Sequence, residues 1–358
     1  MRQLIYTVRY IFVAAMLSIT LPAAASGTLT IGQVIDLSGP NSALGRDYVA
    51  GIRTSFDAIN AAGGLNGKRV QYLVQDDMGD AANTPRLVTE LIERNKVDVL
   101  LGGIGDASVL ATLDTAAFKR SSLPLYAPLA SINHPRVVVW RPGNLQEIRY
   151  LLGYFEKLGI KRVGIAYQEA SLHRNALTAL TDELKQRGMT ISGVARIDTN
   201  HAQLLQETQK LAASKPGFVV TIADTISSAF FLKAFRESDP KTFVAGTSLI
   251  NLSTLREIAG IKAVEWTVFS QVVPNPAGAR TPLQIEHATM MKKFRDEAVS
   301  SLTLEGFLVG KTLSKTLRAG AARTVDLGGL IITAMPVNAS QSDYLDIALF
   351  KKGTGLVF

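Results

Sequence analysis

Along almost the whole chain, short apolar runs take turns with stretches whose apolar residues recur every three or four positions. The first pattern suits a strand buried on both faces, the second an amphipathic helix. Strands are predicted at Leu29–Ile35, Arg69–Gln75, Val97–Leu101, Leu123–Tyr126, Val137–Arg141, Arg162–Tyr167, Thr190–Ile197, Phe218–Ile222, Thr242–Ala245 and Thr267–Val273. Helices are predicted at Tyr48–Ala62, Ala82–Asn95, Gln146–Leu158, Arg174–Gly188, Leu204–Ala213, Ser227–Glu237, Leu252–Ala259 and Leu283–Glu297. Buried strands alternating with helices imply parallel sheets covered by helices on both faces. The units are too many for one open sheet of ordinary width. The fold class is therefore α/β, with two doubly wound lobes. A barrel fits less well, because no regular strand-helix period reaches the end of the chain. There a long helix, Leu304–Ala319, is followed by two short apolar strands, Leu330–Thr333 and Leu345–Phe350, expected to pair as a hairpin closing one lobe.

One unit stands out. The buried run Val97–Leu101 leads into Gly102-Gly103-Ile104-Gly105, then Asp106-Ala107-Ser108, then a helical pattern carried by Val109, Leu110, Leu113, Ala116 and Ala117. Glycines permit a tight turn and a close backbone approach, and a helix start attracts anions. The stretch reads as an anion- or carboxylate-binding corner of an α/β protein.

At 358 residues, with 47% hydrophobic and 19% charged, the chain can bury a large core. Residues 1–26 are set apart from it. Arg2 and Arg9 precede the apolar run Ile11–Leu21, and Pro22-Ala23-Ala24-Ala25-Ser26 offers a small-residue cleavage site, the pattern of a secretory signal. The run is shorter than the ~20 residues a bilayer span needs. Cysteine is absent, which rules out disulfides, thiolate metal sites and a cysteine-linked lipid anchor. An exported chain of this kind is expected in the periplasm. The net charge of +8 falls to +6 once the two signal arginines are gone, and no basic run is interleaved with aromatics, so nucleic acid is not an expected partner.

Catalytic patterns are weak. Gly103-Ile104-Gly105-Asp106-Ala107-Ser108 narrowly misses the dinucleotide fingerprint, and no acidic residue follows at ~20 positions to take a ribose. No G-x-S-x-G elbow occurs. His134, His173, His201 and His287 lack metal-ligand spacing. No cofactor or metal is expected, and the chain does not read as an enzyme. Asp76-Asp77 reads as a turn organiser.

Four local patterns carry a resemblance. They are Ile31-Gly32-Gln33 through Leu37-Ser38-Gly39-Pro40 with Gly45 and Ala50-Gly51; Ile59-Asn60-Ala61-Ala62-Gly63-Gly64-Leu65-Asn66-Gly67-Lys68 with Asp76-Asp77; Val97–Phe118 with Leu123-Pro124-Leu125 and Ala127-Pro128; and Thr303-Leu304-Glu305-Gly306-Phe307 with Leu327-Gly328-Gly329. In this order the chain resembles the type I periplasmic solute-binding proteins, in the leucine/isoleucine/valine-binding branch. The resemblance implies two lobes joined by three hinge crossings, near Arg141-Pro142, Gln271–Pro274 and Arg323–Asp326. Lobe one would hold about residues 27–140 and 274–322, and lobe two residues 141–273 and 323–358. It also implies a monomer that closes over a small molecule and presents it to the membrane permease of an ABC importer, or to a membrane receptor.

The resemblance implies site residues as well. In relatives that bind amino acids, lobe-one hydroxyls and amides hold the α-carboxylate; the matching positions are Asp106, Ala107 and Ser108, and Leu129, Ala130 and Ser131. Ser108 and Ser131 keep donor chemistry, whereas an ionised Asp106 offers acceptors only. Leu44 stands where some relatives carry an aromatic ring. In lobe two, Leu172-His173 replaces an aromatic-glycine pair, Pro142 replaces a hydroxyl, and Asp224 and Ser248 are the counterparts of an acid that would meet an ammonium. A cleft with Asp106 and Asp224 would suit a cationic or donor-rich ligand, or a neutral amide. Structural roles compete: Asp106 and Asp224 as helix caps, Ser108 as a helix-start residue, Leu44 as core.

Overall fold

The computed structural model describes residues 27–169, 171–197, 200–319, 324–333, 340–351 and 355–357; the signal segment 1–26 lies outside them. The apolar runs assemble as their burial demands. β1 (Thr28–Ile35), β2 (Arg69–Asp76), β3 (Val99–Leu101), β4 (Leu125–Tyr126) and β5 (Val137–Val138) form one wholly parallel sheet in the order β2-β1-β3-β4-β5. β6 (Arg162–Tyr167), β7 (Thr190–Arg196), β8 (Phe218–Ile222), β9 (Phe243–Gly246) and β10 (Thr267–Gln271) form the parallel part of a second. After a small hairpin, β11 (Thr324–Asp326) and β12 (Ile331–Thr333), come β13 (Asp346–Lys351), antiparallel to β10, and β14 (Gly355–Val357) beside it.

Each sheet is buried on both faces, as α/β architecture requires. On one face of the first, Ile31, Ile35 and Leu101 pack with Tyr48, Ile52 and Phe56 of the helix Ser42–Ala61 and with Phe307 and Leu308 of the helix Ser301–Ala319. On the other, Val34, Leu100 and Leu125 meet Leu87, Leu91, Val109 and Phe118. In the second sheet, Val219, Val244 and Phe269 pack with Phe231 and Phe235, while Val163, Ile165 and Val220 pack with Leu152, Phe155 and Leu180. The protein is thus two doubly wound lobes.

The helices Ser42–Ala61 and Ser301–Ala319 touch through glycine. A Cβ on Gly51 would lie 2.0 Å from the Thr303 carbonyl oxygen, and one on Gly306 would lie 2.1 Å from that of Tyr48. Backbone cannot yield as a side-chain tip can. Gly51→Ala is therefore expected to cost about 1–3 kcal/mol of stability, seen as a lowered urea midpoint; an unchanged midpoint would mean that the helices can separate freely.

The end of the chain departs from expectation. Leu330–Thr333 does not pair with Leu345–Phe350. β12 pairs with β11, and β13 joins β10 instead. The β11–β12 hairpin buries Val325, Leu327, Leu330 and Ile332 in the same core as Ile31 and Phe307, so its apolar face decides for the first lobe. Thr333 is thus still part of the hairpin packed on the first lobe, and Asp346 begins a strand of the second sheet. Between these two strands Gln341 and Ser342 donate backbone hydrogen bonds to the carbonyls of Val139 and Trp140, at 2.9 and 2.8 Å, just before Arg141. The expected helix over 82–95 is an α-helix at Thr84–Thr89 continued by a π-helical turn, Glu90–Arg94.

Candidate ligand cleft and the hinge beside it

Doubly wound sheets gather ligands at the carboxyl ends of their strands. Here those ends face each other across the two lobes. The first lobe contributes Asp106, Leu129 and Ala130 to a narrow cavity of about 30 Å³. Opposite them stand Asn144, Ile148, Thr221, Thr247 and Leu249, with Val220, Ile222, Ala223 and Ala176 completing the wall. Thr221 is 3% exposed, and its hydroxyl has no hydrogen-bond partner. A buried hydroxyl left unpaired in a cavity wall is a costly feature unless something else occupies the cavity.

The glycine turn after β3 uses its amides differently from expectation. Gly102 N–H donates to the Tyr126 carbonyl at 2.8 Å and Gly105 N–H to that of Leu129 at 3.0 Å, while Leu129 N–H returns to Gly103 at 3.0 Å. The turn continues the sheet edge instead of offering these groups to a ligand. Gly105 adopts φ 88°, which a side chain would resist, and the helix Asp106–Asp114 starts at the next residue.

The residues singled out in the sequence separate into groups. Asp106, Leu129 and Ala130 line the cavity. Asp106 accepts the Ser131 N–H at 2.9 Å. Ser131 is exposed, and its hydroxyl accepts Asn144 N–H at 3.4 Å, a contact between the lobes. Ala107 is exposed. Ser108 donates to the Asp77 carboxylate at 3.1 Å, alongside the Thr84 hydroxyl and Gly79 N–H. Burial pushes the Asp77 carboxyl above its ordinary range. Leu44 lies in the first lobe's core, 2% exposed. Asp224 caps the helix Thr225–Ser238, accepting Ser227 N–H at 2.7 Å and its hydroxyl at 3.1 Å. Leu172 is in the first turn of the helix Ser171–Gln186, and its side chain lies outside the described residues.

Ser248 belongs to a cluster that sequence reasoning missed. Arg141, at the first crossing, donates to Ser248 and to Glu147 at 3.1 Å, and lies 3.4 Å from Glu305. Glu147 also accepts Ser248 N–H at 2.8 Å and the Ser270 hydroxyl at 2.7 Å. All three charged side chains are buried. Glu305 belongs to a first-lobe helix, whereas Glu147, Ser248 and Ser270 belong to the second lobe, so the cluster ties the lobes together at the hinge. One cation serves two carboxyls here, and burial pushes Glu305 up to about 7. Sequence placed a crossing at Arg141-Pro142 but gave no sign that charge would be stored there. A second tie joins Asn251 to Asp47, at 3.0 Å, with the Ser300 hydroxyl on the same carboxylate oxygen at 2.7 Å.

A family model described as periplasmic binding protein matches residues 28–336. The chain belongs to this family. A curated relative, Leu/Ile/Val-binding protein homolog 3 of Brucella melitensis, is 37% identical over 68 residues, 19% of this chain and 18% of the relative. The match thus spans about a fifth of the length of that relative. Among solved structures, a substrate-binding periplasmic protein from Ralstonia solanacearum has TM-score 0.84 at 24% identity, covering 92% of this chain and 99% of its own. A fatty acid ABC transporter substrate-binding protein from Thermomonospora curvata has TM-score 0.78 at 19% identity, covering 94% and 92%. At these identities the structural likeness establishes the type I periplasmic binding fold. Family and fold are those of binding proteins, and the family is one of periplasmic proteins. Among the described residues no helix of this periplasmic binding protein is long and apolar enough to cross a membrane.

Proposed function

We propose that this periplasmic binding protein captures a small polar molecule, an amino acid, amide or related compound, between its lobes and delivers it to the membrane permease of an ABC importer. The observation carrying this reading is the cavity walled by both lobes at the strand ends, with the Thr221 hydroxyl left unpaired in it. The ABC transporter neighbour from Thermomonospora curvata supports an importer as the partner. The signal pattern of residues 1–26 supports export.

Thermal-shift screening against amino acids, amides, amines and small carboxylates tests the reading. A compound that binds only the folded protein stabilises it by about 2.7 kcal/mol at a hundredfold excess over Kd. At least one compound is expected to raise the melting temperature, and Thr221→Val is expected to reduce that rise. A rise untouched by Thr221→Val and by a bulky substitution at Ala223 would place binding elsewhere.

A further inference from the structure

We propose that Asp47 and Ser300 on the first lobe and Asn251 on the second form a latch that holds the unliganded protein closed. Through the closed fraction the latch also sets the affinity for a compound held between the lobes, a consequence that rests on the reading of the cleft as the ligand site.

The latch is built from groups fixed in advance on each lobe. Asn251 caps the helix Leu252–Ala259: its side-chain oxygen accepts the N–H groups of Ser253 and Thr254, both at 3.1 Å. Its own N–H donates to the Thr225 hydroxyl at 3.0 Å. The cap decides which way round the amide sits, since only its oxygen can accept. The amide nitrogen is thereby turned toward the first lobe, where it donates to Asp47 at 3.0 Å and to the Ala43 carbonyl at 3.3 Å. On that lobe Ser300 precedes the helix Ser301–Ala319 and is held by Thr303, whose hydroxyl accepts Ser300 N–H at 2.8 Å and whose N–H donates to the Ser300 hydroxyl at 3.1 Å. The Ser300 hydroxyl in turn donates, at 2.7 Å, to the same oxygen of Asp47 that Asn251 meets.

None of the three residues belongs to a segment that connects the sheets, so the bond between Asn251 and Asp47 exists only while the lobes are together. An ionised acceptor makes such a bond stronger than one between neutral groups. Arg46 and Glu297 act on this carboxylate with opposite signs, and the hydrogen bonds to it come from the neutral Asn251 and Ser300. Both halves keep their geometry when the lobes part, because each is tied into the start of its own helix. Closing therefore costs little side-chain ordering at the latch.

The chain has no cysteine, so spin labels on Lys292→Cys and Glu237→Cys, exposed positions on the first and second lobes, are its only thiol labels. Distance measurement by double electron–electron resonance on the full mature chain, with no small molecule added, reads the closed and open populations. Asn251→Ser keeps a capping oxygen but is too short to reach Asp47, and Asn251→Asp keeps the cap while setting two carboxylates against each other. The open-to-closed ratio is expected to rise roughly tenfold in the first variant, the worth of one hydrogen bond to a charged group, and further in the second. Combining Asp47→Asn with Asn251→Asp again pairs one donor with one acceptor, the charge now on the other lobe, and is expected to return the distances to those of the parent. A merely structural contact would not show this reciprocal rescue. Circular dichroism confirms that each variant is folded. Distances unchanged in both single variants, or opening that the reciprocal pair does not reverse, would overturn the inference. Because nothing is bound in the experiment, a failed ligand screen would sink the reading of the cleft and leave the latch standing.

Discussion

Arg141→Met is expected to lower the free energy of unfolding by about 3–5 kcal/mol, the usual cost of removing one partner from a buried ion pair. The substitution keeps most of the side-chain volume but leaves two carboxyl groups without their cation. Glu147 would keep Ser248 N–H and the Ser270 hydroxyl, whereas Glu305 would lose its 3.4 Å contact with Arg141. Replacing Arg141, Glu147 and Glu305 together by apolar residues of similar size is expected to recover most of the loss, because no buried charge is then stranded. Urea unfolding of the two variants, with the slope checked for constancy, makes the comparison. A single variant as stable as the parent would show that the cluster is hydrated in solution and holds the hinge only weakly.

The second large effect is a dependence of stability on pH. Burial of Glu305 beside Glu147, with one arginine between them, raises its carboxyl to about 7. The unfolded chain releases that proton near the ordinary value of about 4.3. The folded state therefore holds a proton that the unfolded state has lost. Stability from this group is complete below about pH 4.3 and disappears as pH rises through 7. At about 1.36 kcal/mol per pH unit, the loss between pH 4.5 and 8 is on the order of 3 kcal/mol. Glu305→Gln keeps the shape, stays neutral at every pH and is expected to flatten this part of the profile. Denaturation of both proteins at a series of pH values reads the difference. Parallel curves would mean that Glu305 is ionised throughout.

The fold was legible because strand burial is written locally. Val97–Leu101 and Phe218–Ile222 are apolar runs, and a run buried on both faces has few other places to go. Pairing at the chain end was not legible. Leu330–Thr333 and Leu345–Phe350 look like neighbours, but β13 finds its partner in β10, nearly eighty positions upstream, while β11 and β12 carry the apolar face that fits the first lobe. The short strands β4 and β5 were extended too far, to Leu123 and Arg141, because apolar composition continues where ladder pairing stops.

At the candidate site, three residues named from the sequence, Asp106, Leu129 and Ala130, line the cavity, and the roles of their side chains were left open. Asp106 follows the glycine turn into the cavity wall, yet Ser108 faces Asp77, a residue 31 positions away that no local pattern connects to it. Asp224 has the cap role that its place before a helix allowed. Thr221 passed as one more residue of a buried strand. Its importance comes from what the strand end faces, which is a property of the assembled lobes. The Arg141 cluster was hidden for the same reason, since Glu305 is 164 positions away.

Small-angle X-ray scattering of the mature protein, before and after saturation with the ligand found by screening, tests the central claim most directly. If the ligand is held between the lobes, the radius of gyration is expected to fall on binding, and Thr221→Val should need more ligand to reach the same contraction. Saturable binding with unchanged scattering, and with the same affinity in Thr221→Val, would contradict the claim that the cleft between the lobes is the binding site.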